Sequence, residues 1–209
     1  MHRWMENDLT TFEKPLMSGL TMDHQVFPCV HVVFNEGQRS TPVEAFLNHR
    51  SSERWVLLGQ HAVQSSEQLW TAWIQAARNE LRQSMVARSI DAEFLRYLAG
   101  THHISEAFAR AGWRTGQTGA WVVYLCEAEG QANDLGHLQP KPLPYDAFIE
   151  HFNALCSTLN WSTEQKPMVH SIEGMLSMGI DVEGWPDERL HEAIIAHILM
   201  ADDQSSSHR

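Results

Sequence analysis

Cysteine is scarce in this chain, and what there is does not pair up. Cys29, Cys126 and Cys156 are three in all. An odd number without C-x-x-C spacing excludes a disulfide framework and a zinc ribbon, so reduced, buried thiols are expected. Long apolar runs are missing too: none approaches the roughly 20 residues of a membrane helix. Met1 to Gln25 holds no signal-peptide core. A soluble, cytoplasmic protein without a membrane partner is the expectation. The glycines are scattered, and Gly112, Gly116 and Gly119 fit neither the Walker nor the dinucleotide-binding pattern. There is no G-x-S-x-G. Thirteen histidines invite a metal, but H-E-x-x-H is absent: His191-Glu192 is followed by Ile195 where the second His belongs. No metal and no cofactor are expected. With no nucleophile beside a partnered base, the chain reads as a binding or accessory protein and not as an enzyme.

Positive charge is also short. Fifteen Lys and Arg against 26 Asp and Glu leave a formal net charge of −11, which excludes a generic nucleic-acid binder and any DNA partner, because phosphates are repelled. The deficit is uneven. Between Ser66 and Thr118 stand Arg78, Arg82, Arg88, Arg96, Arg110 and Arg114 against Glu67, Glu80, Asp91, Glu93 and Glu106. Helix surfaces carry Arg for unremarkable reasons as well, so the imbalance alone names no partner.

What is present is a core of eight Trp and eight Phe in 209 residues, enough for one domain. Residues 1–25 read as an N-terminal arm, 26–204 as the domain and 205–209 as a disordered tail. Val26–Phe34, Arg54–Gly59 and Ala120–Cys126 read as strands, the last a continuous apolar run covered on both faces. Thr41-Pro42-Val43-Glu44 has the form of a capping box that opens a short helix to Arg50. Asn35-Glu36-Gly37 is a turn. Ser65-Ser66 opens a long helix with Leu69, Trp70, Trp73, Ile74, Ala77 and Leu81 inward, and Gln68 is placed to reach back to Ser65. Glu127–Pro144 reads as a long irregular loop, Tyr145–Leu159 as an amphipathic helix, Lys166–Met178 as a strand followed by a short helix, and Asp187–Ala201 as the last helix. The class is α/β in the broad sense (α+β mixed), a single domain with a small mixed sheet flanked by helices.

The centre of this pattern is SIDAEFLRYLAGTHHI, residues 89–104. Ser89 is placed to cap a helix, with Asp91 and Glu93 in its first turn. Ile90, Phe94, Leu95 and Leu98 form its apolar face, and Gly100 ends it. Thr101-His102-His103 then link to a second stripe, Ile104-Ala107-Phe108-Ala111, stopped by Gly112. A helix N-terminus offers free N–H groups to phosphate, and imidazoles stack on bases. These residues are equally what an exposed helix–helix link carries.

The run SIDAEFLRYLAGTHHISEAFARAGW, followed by AWVVYLC, resembles the small kinase-binding subunit of the KEOPS complex. Ile104-Ser105-Glu106-Ala107-Phe108 and Gly112, the earlier FPCVHVVF and the later LHEAIIAHILMADD fall in that family's order, over about residues 26–204. The resemblance implies a non-catalytic subunit with a mixed sheet flanked by helices. Such a subunit binds and stimulates a small atypical kinase that acts as an ATPase. It also recruits tRNA by its 3′ CCA end for threonylcarbamoyladenosine synthesis. On that basis Arg78, Arg82, Arg96, Thr101, His102, His103 and Ile104 are candidate tRNA contacts. Phe108, Ile194 and Ile198 are candidates for the kinase interface. Where archaeal members usually carry Arg-Gln, this chain has His102-His103, which exchanges a permanent cation for groups mostly neutral at pH 7. Two other readings stand beside it: a small His-dependent enzyme with His102 as base and Glu106 as its orienting carboxylate, and an α/β small-molecule sensor.

Overall fold

The computed structural model describes residues 26–35, 41–131, 138–142 and 145–203. The expected arm 1–25, the tail 205–209, most of the expected turn at 35–37 and the middle of the 127–144 loop lie outside the described residues.

In chain order the elements are β1 (Cys29–Phe34), α1 (Pro42–His49), β2 (Trp55–Gly59), α2 (Ser66–Arg82), α3 (Ile90–Leu98), α4 (Ile104–Ala111) and β3 (Gly119–Tyr124). Then follow β4 (Ala128–Glu129), β5 (Gln139–Pro140), α5 (Tyr145–Leu159), β6 (Trp161–Glu164), α6 (Ile172–Ser177) and α7 (Leu190–Leu199). The main sheet runs β2-β3-β1-β6. Its three pairings are all antiparallel, with Trp55 opposite Tyr124, Cys29 opposite Val123 and Phe34 opposite Trp161. The fold class is the expected one, helices on a small sheet, but the sheet is purely antiparallel and not mixed in direction.

β2 and β3 are apolar on both sides because both sides are covered. Trp55, Leu57, Ala120 and Val122 meet Phe46 of α1 and Phe148, Phe152 and Leu155 of α5. Val56, Leu58, Trp121 and Val123 point the other way, against α2, α3, α4, α6 and α7. The period-2 alternation of strand side chains sorts these residues into two cores. Trp73 lies in the second, 1% exposed, and its indole N–H reaches the Cys126 carbonyl at 2.8 Å.

Local signals explain most boundaries. Thr41 accepts from Glu44 N–H and Pro42 opens α1. Ser65 caps α2 by accepting from Gln68 N–H. The Gln68 side chain does not return to Ser65; its oxygen accepts from Gln64 N–H at 2.8 Å. Ser89 makes no side-chain cap on α3.

Three segments differ from the sequence-based expectation. The strand expected after Lys166 falls at Trp161–Glu164, joined to α5 by Asn160 at φ 55°. It is an edge strand in which only Trp161 is buried, so no apolar alternation marks it. The loop after Glu127 carries a short ladder, Ala128 opposite Pro140 and Glu129 opposite Gln139. Finally, α3 has no solvent face: every residue from Ile90 to Leu98 is buried.

Candidate nucleic-acid interface

Because α3 is enclosed, its polar side chains must find partners inside. Glu93 and Arg96 find each other. Arg96 donates from Nη2 to Glu93 Oε1 at 2.8 Å and from Nη1 to Asp202 Oδ1 at 2.7 Å. The second Glu93 oxygen accepts from the backbone N–H groups of Val86 and Ala87. Asn79 of α2 donates to Glu93 Oε1 and to the Tyr97 hydroxyl, which in turn donates to Asp202. Burial alone raises the Glu93 carboxyl, but the bonds from Arg96, Ala87 and Asn79 outweigh it and leave it below its ordinary value. Tyr97 is pushed up to about 12 by burial and by Asp202. Arg96 is fully buried, so the structure places this expected RNA contact in the scaffold, where it ties α3 to the end of α7.

Just beyond α3 the chain turns. Gly100 takes φ 57°, a conformation that L side chains resist. Thr101 is fully buried. Its hydroxyl donates to Glu106 Oε2 and accepts His103 N–H at 3.2 Å. The other Glu106 oxygen pairs with Arg110 Nη2 at 2.6 Å, and Arg110 Nη1 reaches the Ala99 carbonyl. That carbonyl also faces His197 Nε2 of α7 at 2.9 Å. Thr101 therefore braces the corner from below and offers no surface to a ligand. On the far side of α4, His61 Nε2 donates to the Arg110 carbonyl at 2.6 Å, so its Nδ1 is left to accept from Gln117. Burial pushes both His61 and His197 below the usual imidazole value.

What faces outward at the corner is His102, His103 and Ile104. His103 is exposed, while His102 and Ile104 are half-buried. The two rings lie 6.3 Å apart at 83°. His103 occupies the N-cap position of α4 without a side-chain cap. The first intrahelical bond is Ala107 N–H to His103 O, so the N–H groups of Ile104, Ser105 and Glu106 open from the helix end. The His102–Glu106 pair of the alternative, His-dependent reading does not form among the described residues. Glu106 is engaged by Thr101 and Arg110, and His102 Nδ1 has no hydrogen-bond partner. Glu106 therefore does not orient His102 in the way the His-dependent alternative required.

Arg78 and Arg82 stand one turn apart on α2, Arg82 exposed and Arg78 half-buried. No carboxylate pairs with either among the described residues. Burial, then the neighbouring Arg82, holds Arg78 below its ordinary value. Arg54, Arg110 and Arg114, by contrast, are already engaged: Arg54 by Glu80 and the Leu125 and Cys126 carbonyls, Arg110 by Glu106 and the Ala99 carbonyl, and Arg114 by the Ala109, Arg110 and Ser177 carbonyls. Of the candidates for a protein interface, Phe108 is 48% exposed, whereas Ile194 and Ile198 are fully buried in the core beneath α7. Amphipathic spacing marked the inward face of α7, not a docking face.

The sequence did not single out His197, His61 or the Glu93–Arg96 pair as a buried unit. The amphipathic spacing of α3, with Ile90, Phe94, Leu95 and Leu98 on one face, made Glu93 and Arg96 read as solvent-facing. Among the described residues no three His, Cys, Asp or Glu side chains converge to hold a metal. A cleft of about 90 Å³ lies between α1 and α5, lined by His49, Ser51, Trp55, His151, Ala154, Leu155 and Thr158. That is far below the roughly 300 Å³ of an ordinary small-molecule site. No described helix is long and apolar enough to cross a membrane.

Comparison with known proteins supplies the class, that of kinase-binding proteins. The model of the family described as kinase binding protein CGI-121 matches residues 38–155, a stretch that holds α1 to α4, β2, β3, the corner and most of α5. The chain belongs to the CGI-121 family. No curated protein matches it.

Proposed function

We propose that this chain is a non-catalytic accessory subunit of the KEOPS complex. It binds and stimulates the small atypical kinase/ATPase subunit and recruits tRNA by its 3′ CCA end for threonylcarbamoyladenosine synthesis in the cytoplasm. The observation that carries the RNA half is the corner itself. The uncapped N-terminus of α4 lies beside His102 and His103, and buried bonds hold it from below. Open N–H groups suit a backbone phosphate between the CCA nucleotides, and the two imidazoles suit the unstacked bases of a single-stranded end. Arg78 and Arg82 are the backbone-phosphate contacts. Arg96 and Thr101 serve as scaffold beneath this surface. On the protein side the CGI-121 match supports a kinase partner, and Phe108 is the exposed apolar residue assigned to it.

The test is a binding titration of intact tRNA against the same tRNA lacking CCA, with His102→Ala/His103→Ala alongside. Affinity falls when CCA is removed, and the double variant no longer distinguishes the two. Arg82→Ala weakens both equally and lowers the salt slope by about one. Equal, weak binding of both tRNAs by the unaltered chain refutes recruitment.

A further inference from the structure

We propose that His197 of α7 is a positioning residue for the Gly100–His103 corner, setting the placement of His102 and His103 for RNA. This rests on the RNA reading above. The half-buried ring lies behind the corner, which is built against it. Its Nε2 lies 2.9 Å from the Ala99 carbonyl, and since a carbonyl only accepts, that nitrogen carries the proton. Gly100 packs directly on the ring: a Cβ there would lie 2.4 Å from it. The ring thus leaves no room for a side chain at the turn, where the left-handed backbone that swings the chain toward Thr101 favours glycine as well.

The contact continues outward through a single connected path. The Ala99 carbonyl held by His197 is also held by Arg110 Nη1 at 3.1 Å. Arg110 fixes Glu106, Glu106 fixes the Thr101 hydroxyl, and that hydroxyl accepts the His103 backbone N–H. The path starts and ends on fully buried residues, Ala99 and Thr101, and crosses the partly exposed Arg110–Glu106 pair between them. α7 is anchored to α3 independently, through Asp202 on Arg96 and Tyr97. One bond pair therefore places α7 on α3, and the His197 ring then places the corner on α7. An aliphatic side chain at 197 would fill the same space. It would leave the Ala99 carbonyl with Arg110 alone and release one side of the turn.

Two full-length variants separate positioning from bulk. His197→Gln keeps an N–H donor; His197→Leu keeps volume and loses it. The readouts are amide hydrogen exchange at Thr101 and His103, affinity for CCA-ended tRNA, and the thermal midpoint. His197→Leu is expected to speed exchange at the two amides tenfold or more and to weaken tRNA binding by a similar factor. His197→Gln restores most of both. Leu and Gln variants that match the unaltered chain in exchange overturn the proposal. So does a tRNA affinity that stays unchanged while exchange rises, and so do losses in both variants that merely follow the thermal midpoint. If the unaltered chain does not bind tRNA, the RNA reading fails by itself, and with it the RNA part of this proposal; exchange then still decides whether His197 places the corner.

Discussion

Glu93 and Arg96 sit three residues apart on α3, 2.8 Å from oxygen to nitrogen, with neither side chain reaching solvent. A buried ion pair is weak evidence for stability by itself, because desolvation offsets most of the attraction. Removing one partner is different, since it strands the other charge. Arg96→Met is expected to destabilise the fold by about 3–5 kcal/mol. Glu93→Gln/Arg96→Met together are expected to cost less than the two single changes added. Denaturant midpoints for the three variants check this. Tenfold weaker RNA binding by Arg96→Met without loss of stability would return Arg96 to the interface.

The pH dependence divides into two windows. Burial holds His61 and His197 below the ordinary value of 6.5, and it does the same to His31, whose Nδ1 lies 3.0 Å from Glu164. These rings are neutral when folded, and the unfolded chain binds more protons. The stability they contribute is complete above pH 6.5 and is lost as pH falls through their lowered values. Glu93 acts in a second window: its contribution is present above the ordinary carboxylate value of 4.5 and is lost as pH falls through its lowered value. Thermal midpoints measured from about pH 7.5 to about pH 3 should fall in two stages. His197→Gln should flatten the upper stage only.

Gly100→Ala places a methyl group against the His197 ring at a left-handed position. The backbone strain alone is about 1–2 kcal/mol, and the clash adds to it. The thermal midpoint should fall more than for Gly116→Ala, where φ is also positive but nothing lies within 4 Å of the added carbon.

Helix capping gives a sharp contrast. Ser65 holds Gln68 N–H, whereas Ser89 makes no cap bond. Ser65→Ala should cost about 1 kcal/mol, and Ser89→Ala should be close to neutral in the same denaturation series.

The sequence carried the elements whose signals are local. Thr41, Pro42 and Glu44 announced α1, and the apolar run through Trp121–Val123 announced a strand covered on both sides. It did not carry β6, because Ser162, Thr163 and Glu164 face solvent and the strand exists only by pairing with β1. At the site, the corner was legible from Gly100 and the polar link after it. Its division into surface and scaffold was not. Thr101 and Arg96 have the chemistry of RNA contacts, and only the enclosure of α3 turns them inward. Ile194 and Ile198 erred in the opposite sense, because an apolar stripe looks the same whether it faces its own core or a partner. His197 lies 98 residues from Ala99 in the chain, a separation no local pattern bridges.

The most direct measurement follows backbone amide shifts of the full chain while a short single-stranded RNA ending in CCA is added. Shifts concentrated at residues 101–106 are predicted, absent with an oligonucleotide of the same length ending in UUU and absent in His102→Ala/His103→Ala. Shifts confined to α1 and α5 on the opposite face of the sheet, or none at saturating RNA, would contradict the assignment of the corner as the RNA-holding surface.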